Sequence, residues 1–213
     1  MKATMANNKP YLAVITGGGA NFYSLETVLQ RLGVAYQLTS DKAVIENSSG
    51  AIFPGVGSAG FAMAELARLN LIEVIRNYKR PLLGICLGMQ LLYEYSEEGA
   101  VSCLGILPGT VKRFDNHGGL IVPHMGWNTL AWLKGSPLAA EVASERDVYF
   151  VHSFFAPVNK VTVASCDYGC QFAAIAQQDN FYAMQFHPEK SGAIGEQLLR
   201  NFIGVIDDNL SGN

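Results

Sequence analysis

Long apolar runs, an excess of charge of one sign and an abundance of cysteine are all missing from this sequence. The longest apolar stretch, Leu82 to Tyr93, is interrupted by Gly84, Gly88 and Gln90 and falls well short of the roughly 20 residues that a membrane-spanning helix needs. No membrane span is expected. The formal charge of -3, from 15 basic and 18 acidic side chains, creates no field strong enough to hold nucleic acid or an anionic bilayer. Cysteine occurs only as Cys86, Cys103, Cys166 and Cys170. The opening MKATMANNKP carries no apolar segment of the kind a secretory signal uses, so the expectation is a cytoplasmic chain with reduced thiols. Cys166 and Cys170 could form half a metal site, but no second Cys/His pair stands at zinc-like spacing, so free thiols, no metal and no cofactor are expected.

What is present suits one compact unit. With 213 residues, 49% of them hydrophobic and 15% charged, the chain can fill one substantial core and is short for two, so residues 1–213 are read as a single domain. The first half alternates apolar runs with helical spacing: Tyr11–Thr16, Phe22–Leu32, Val34–Leu38, Ala51–Phe53, then a helical stretch over Phe61–Tyr78. Pro81–Ile85 is apolar throughout, as a parallel strand buried on both faces is, and Leu87–Tyr95 after it has helical spacing. The second half reads as strands at Val148–Phe155, Val161–Cys166, Phe172–Ala176 and Phe181–Phe186, punctuated by Pro157, Asn159, Gly169 and Asp179. Ile194, Leu198, Phe202 and Ile206, spaced four apart, close the chain with an amphipathic helix over Ala193–Ile206. The fold class expected is α/β, an open, mostly parallel sheet with flanking helices and an antiparallel extension in the second half. The polar loop Asp115–Gly119 is too brief to separate domains.

Gly84-Ile85-Cys86-Leu87-Gly88 places a cysteine between small residues at a strand-to-helix junction. This is the cysteine counterpart of a nucleophile elbow, in which flanking glycines let a strained turn hold the nucleophile clear of the sheet, and a helix N-terminus there favours thiolate. A cysteine merely buried in an apolar strand is the competing reading. Gln185-Phe186-His187-Pro188-Glu189 supplies a partner. In extended chain, residues two apart project to one side, so His187 and Glu189 can both face Cys86, the carboxylate orienting the imidazole that serves as base. Pro54-Gly55-Val56-Gly57 leaves the third strand where ligands meet open α/β sheets. Its glycines, Gly55 and Gly57, let backbone N–H groups approach a substrate, and the amides of Leu87 and Gly57 are the expected oxyanion donors. Gly17-Gly18-Gly19 lacks both dinucleotide and P-loop spacing and is read as a tight turn.

These residues resemble the class I, triad-type glutamine amidotransferases, and among them the glutaminase subunits of imidazole glycerol phosphate synthases. The resemblance runs from about Tyr11 to Ile203 and is carried by PGVG (54–57), GICLGMQLL (84–92), PHMGWN (123–128), YFVHSF (149–154) and NFYAMQFHPEKSG (180–192). It implies hydrolysis of L-glutamine through a γ-glutamyl thioester on Cys86, with Gln90 helping to hold the substrate. The ammonia then passes to a (β/α)8-barrel cyclase subunit in a heterodimer, and an oxyanion donor is turned into place by that partner. By the same resemblance Trp127, Asn128 and Lys190 lie near the subunit interface, although Trp127 could equally pack in the core and Lys190 be simply solvated. His124 and His152 fall in shared motifs and are read as structural hydrogen-bonding groups. Thr16–Ala20 departs from the pattern usual in this family, so only Asn21 is carried over there. Another class I glutaminase such as that of anthranilate synthase, a non-catalytic interaction subunit, and a cysteine peptidase or thioesterase on the same scaffold remain the alternatives.

Overall fold

A computed structural model describes residues 11–17, 22–116 and 118–212. Gly18, Gly19 and Asn21, part of the expected turn and the carried-over asparagine, lie outside the described residues, as does His117 of the polar loop. In chain order the elements are β1 (Leu12–Ile15), α1 (Phe22–Arg31), β2 (Tyr36–Thr39), α2 (Lys42–Asn47), β3 (Gly50–Gly55), α3 (Ala59–Arg68), α4 (Ile72–Arg76), β4 (Leu82–Cys86), α5 (Leu87–Leu92), β5 (Tyr93–Ser96), β6 (Val101–Ser102) and β7 (Leu107–Arg113). They continue with β8 (His124–Trp132), β9 (Arg146–His152), β10 (Phe154–Phe155), β11 (Thr162–Asp167), β12 (Gln171–Gln178), β13 (Phe181–Met184) and α6 (Gly192–Ser211), with short 3-10 turns at Pro137–Ala139 and Pro188–Lys190.

A nine-stranded sheet runs in the order β2-β1-β3-β4-β13-β12-β11-β8-β9. Its first five strands pair in parallel and the remainder antiparallel, which is the α/β class with an antiparallel extension that the two halves of the sequence imply. A second sheet, β10-β7-β5-β6, packs beside it. Apart from the edge strand β2, whose Gln37 and Leu38 are exposed, the parallel strands are buried at every position because both faces are covered. Leu12, Val14, Ile52, Leu83 and Ile85 meet α1 and α6 through Leu25, Leu29, Leu198 and Phe202, while Ala13, Ile15, Ala51, Phe53 and Leu82 face the opposite core with Ala62, Leu66, Ile75 and Leu91.

Several sequence-based boundaries require correction. The helical stretch Phe61–Tyr78 is two helices, because Asn70 adopts φ 56° and turns the chain between α3 and α4; Asn tolerates this left-handed conformation better than most residues. The helix read over Leu87–Tyr95 ends at Leu92, where the Tyr93 ring, 1% exposed, is drawn into the second sheet as the start of β5. Val148–Phe155 is not one strand but β9 of the large sheet and β10 of the small one, broken at Ser153. The strand expected to reach Phe186 ends at Met184. All cysteines are free thiols, and Cys166 Sγ donates to the Thr129 carbonyl at 2.9 Å.

Candidate active site

β4 is flanked by β3 and β13, both parallel to it, with Gly55 beside Cys86 and Met184 beside Ile85. The carboxyl ends of neighbouring strands therefore bring the 54–57 loop, Cys86 and the segment bearing His187 to one edge of the sheet. Cys86 takes φ 54° and ψ -111° at the junction of β4 and α5, a conformation that costs a non-glycine residue about 1–3 kcal/mol and persists only when its surroundings enforce it. The surroundings do. A Cβ at Gly84 would stand 2.9 Å from the Gly88 carbonyl, and one at Gly88 would overlap the Phe53 carbonyl oxygen. The two glycines are thus a steric condition for α5 to press against β3 and β4. Gly55 serves the same packing: a Cβ there would lie 3.0 Å from Gly88 N.

His187 Nδ1 and Glu189 Oε1 are 2.8 Å apart, with side chains only 6% and 9% exposed. The route to this pairing differs from the extended-chain expectation. Pro188 opens a 3-10 turn, with Lys190 N donating to His187 O at 3.0 Å, and it is this turn that folds Glu189 back onto the ring. The turn is pinned from both sides. His187 N donates to Tyr149 O at 3.0 Å, Ser191 Oγ donates to His187 O at 2.7 Å, and Tyr149 N donates to Ser191 Oγ at 2.9 Å. Gly195 completes it, since a side chain there would overlap the Pro188 carbonyl.

With Nδ1 committed to the carboxylate, Nε2 is the free ring nitrogen; it is buried and makes no full hydrogen bond in this resting arrangement. Burial alone would lower the proton affinity of His187, but Cys86 and Glu189, through hydrogen bonding and charge, outweigh it and hold the ring up to about 10. Cys86 and His187 share a cavity of about 390 Å³, whose wall also includes Gly57, Leu87, Gln90 and Glu98, a volume in the range of small-molecule sites. Glu189 lies behind the ring on a smaller cavity with Gly55 and Lys190. The structure therefore brings Cys86, His187, Glu189, Gly57, Leu87 and Gln90 together, and leaves Gly55 off the main wall as a packing residue.

Gln90 is 4% exposed, and its Nε2 donates to Phe154 O at 2.8 Å and Gln185 Oε1 at 2.9 Å. Gly57 has φ 102°, and its N–H is not taken by any described backbone partner. Trp127 is 58% exposed on β8, against the Tyr149 ring, which rules out the core reading. Asn128 Nδ2 donates to Asp167 O at 2.8 Å, and Lys190 is exposed.

Glu98 on the wall escapes a reading of the sequence, whereas His152, read there as a structural hydrogen-bonding group, makes bonds of that kind. His152 Nδ1 lies 2.8 Å from Phe154 O, its Nε2 lies 3.1 Å from His124 Nδ1, and His124 Nε2 lies 3.4 Å from Asn128 Nδ2. The carbonyl can only accept, so protons run in one direction, from Asn128 through His124 and His152 to Phe154 O. Burial pushes His124 down to about 4 and His152 to about 3, so both rings are neutral near pH 7. Nothing in the sequence marks Glu98 except its place in the turn after β5.

A strained cysteine elbow beside a histidine–carboxylate pair, at the ends of adjacent parallel strands, has the parts of an acyl-transfer site. Solved structures share the fold: a Thermoplasma acidophilum protein described as one component of a GMP synthase aligns with TM-score 0.75 at 20% identity, covering 96% of this chain and 98% of that one. Residues 9–205 match the family Glutamine amidotransferase class-I. Among curated proteins, the chain is 50% identical over 192 residues to imidazole glycerol phosphate synthase subunit HisH of Xylella fastidiosa, covering 90% of this chain and 96% of that protein. It is 48% identical over 196 residues to the subunit of the same name in Bacteroides thetaiotaomicron, covering 91% and 99%. The chain belongs to the class-I glutamine amidotransferase family, in the branch of the imidazole glycerol phosphate synthase HisH subunits.

Proposed function

We propose that this chain hydrolyses L-glutamine at Cys86 and passes the ammonia to a (β/α)8-barrel cyclase subunit, as the glutaminase half of an imidazole glycerol phosphate synthase in histidine biosynthesis. The observation that carries the reading is the shared wall of Cys86 and His187, with Glu189 2.8 Å behind the ring. The proton shared by Cys86 and His187 rests on His187 Nε2, in keeping with the raised proton affinity of the ring, as the sulfur attacks the amide carbon and the Leu87 and Gly57 N–H groups receive the oxyanion. Glu189 stabilises the imidazolium, which returns its proton to the leaving nitrogen; ammonia departs and the γ-glutamyl thioester remains. Water, deprotonated by the now neutral ring, attacks the thioester, and glutamate leaves as the thiol is restored.

Gln90 Oε1 and Glu98, the acidic residue among the described wall residues, suit the ammonium of a free amino acid better than a peptide, whose amine is acylated. The exposed Ile121, Met125 and Trp127, at 76%, 63% and 58%, with Asn128 and Lys190, are the residues we assign to the contact with the cyclase; exposed apolar groups suit such contacts. Among the described residues, no helix is long and apolar enough to cross a membrane. The test is Cys86→Ala in the reconstituted complex. Glutamine-dependent synthesis should vanish while synthesis from added ammonium salt persists; persistence of both would refute the reading.

A further inference from the structure

We propose that Glu98 clamps the downstream end of the 54–57 loop, so that the carboxylate facing the substrate also sets the direction of the Gly57 N–H. The inference rests on the glutaminase reading above and adds a positioning role to it. The loop has two anchors with an unpacked span between them. Upstream, Gly55 is buried against Gly88 and Leu87. Val56, Gly57 and Ser58 then follow, all exposed. Downstream, Ala59 is fully buried, and its N–H donates to Glu98 Oε2 at 2.8 Å.

That last bond stands where a helix cap should. Ser58 occupies the N-cap position of α3, the usual place for a hydroxyl to accept from the first turn, yet its side chain makes no such bond. A carboxylate from a different element takes the orphan donor instead. Glu98 is itself held: its N–H donates to Oγ of the fully buried Ser96 at 3.1 Å, and Gly99 packs on Gly60, where an added Cβ would lie 3.6 Å from the backbone. The neighbouring Glu97 accepts from Arg113 N at 2.8 Å, so the turn after β5 is tied to the small sheet.

Gly57 is two residues upstream of the clamped amide, in a positive-φ conformation that glycine leaves at little cost. Without the clamp, the exposed span keeps downstream only the Ala62 N bond to Ser58 O at 3.0 Å and the burial of Ala59, neither of which holds the Ala59 N–H. Glu98 Oε1 has no hydrogen-bond partner among the described residues, which leaves it for a substrate cation while Oε2 holds the loop. One side chain thus joins occupancy of the cavity to the placement of an oxyanion donor.

Ala59→Pro separates the two roles, because it deletes the N–H and leaves the Glu98 carboxylate intact. Proline is accepted at the first position of a helix, and Ser58, at φ -105° and ψ 146°, already has the extended backbone that precedes proline. In the complex with the cyclase, kcat for ammonia release should fall about tenfold or more, a part of what loss of an oxyanion donor costs, with KM for glutamine changed less than twofold. Glu98→Gln keeps an acceptor for Ala59 N and should show a kcat about tenfold above that of Glu98→Ala, the expected fraction of the same loss, while both raise KM; this pair decides the matter if the proline variant does not fold. A wild-type complex that releases no ammonia from glutamine would end both readings. A wild type that does, with kcat of folded Ala59→Pro within twofold or with equal kcat for the two Glu98 variants, overturns the clamp alone.

Discussion

Replacing Glu189 by Gln removes a charge and leaves the shape. The wild-type pairing joins His187 Nδ1 to Oε1 at 2.8 Å with both side chains more than nine-tenths buried, so solvent screens it little. A hydrogen bond to a charged group contributes about 1.5–3 kcal/mol. The pairing gains this fully only when the ring is protonated, the form that holds the proton while the sulfur attacks, so its loss depletes that reactive form and slows acyl transfer. Each 1.36 kcal/mol is tenfold in rate, and kcat should drop roughly 10- to 150-fold, with KM nearly unchanged because Glu189 lies behind the ring and off the cavity wall.

The same substitution should draw the titration of His187 down from about 10 toward its ordinary value. Ammonia release from the complex and a histidine NMR titration measure the two effects. A Glu189→Gln enzyme with kcat within twofold of wild type would refute the claim that this carboxylate stabilises the imidazolium. A large loss in kcat with an unmoved titration would refute the electrostatic route and leave ring orientation as the cause.

Stability should peak near pH 6.5–7 in thermal melts. His187, raised on folding, contributes stability present in full below about 6.5 and lost as pH climbs toward about 10, whereas His124 and His152, depressed to about 4 and about 3, cost stability as pH falls from 6.5 toward those values. Cys86→Gly should abolish glutamine hydrolysis and yet leave the fold as stable as wild type or more so by about 1–2 kcal/mol, since relief of the strained φ of 54° offsets the added chain entropy of glycine; a clear fall in Tm would show that the elbow stores no strain. Gly88→Ala should destabilise by about 3 kcal/mol or more, at or beyond the upper end of ordinary overpacking costs, because its Cβ meets the Phe53 carbonyl rather than a side chain that can rotate; chemical denaturation would report it, and a loss under 1 kcal/mol would mean that α5 is free to shift.

What could be read from the sequence was whatever a short stretch specifies by itself. Pro81–Ile85 is apolar at each place because β4 is covered on both faces, and the glycines two residues to either side of Cys86 permit the close helix-to-sheet packing that an elbow needs. The second sheet was illegible for the opposite reason. Tyr93 to Ser96 continues a helical pattern, and becomes a strand only because β7, from another part of the chain, lies ready to pair with it; β7 itself, LPGTVKR, carries Pro108 and Gly109, which argue against a strand in isolation. Glu98 escaped for a related cause. It sits in no pattern that announces chemistry, and owes its place on the cavity wall to a pairing between distant segments. The partial misreading at His187 is instructive: the spacing of two was correct, but a turn rather than an extended strand brings the carboxylate to the ring.

Because the base reaches the nucleophile by way of strand pairing, the chemistry depends on register. Sliding β13 along β4 by one residue would turn its side chains to the wrong face, and sliding it by two would carry His187 about 6.6 Å away from Cys86. Both ends of the pairing are pinned. At the far end Leu82 N donates to Asn180 O at 2.9 Å, and Asn180 Nδ2 reaches the carbonyls of Tyr78 and Arg80 at 2.9 and 2.8 Å. At the near end Gln185 N donates to Ala174 O at 2.9 Å, and its side-chain oxygen accepts from Gln90 Nε2 at 2.9 Å. Between them Tyr182 and Met184 face one core while Phe181 and Ala183 face the other, so the sheet's two sides disagree with any odd slip. Gln90 therefore helps to fix where His187 stands before any substrate arrives, and under the proposed glutaminase reading its amide oxygen, which accepts no described hydrogen bond, is left to meet that substrate.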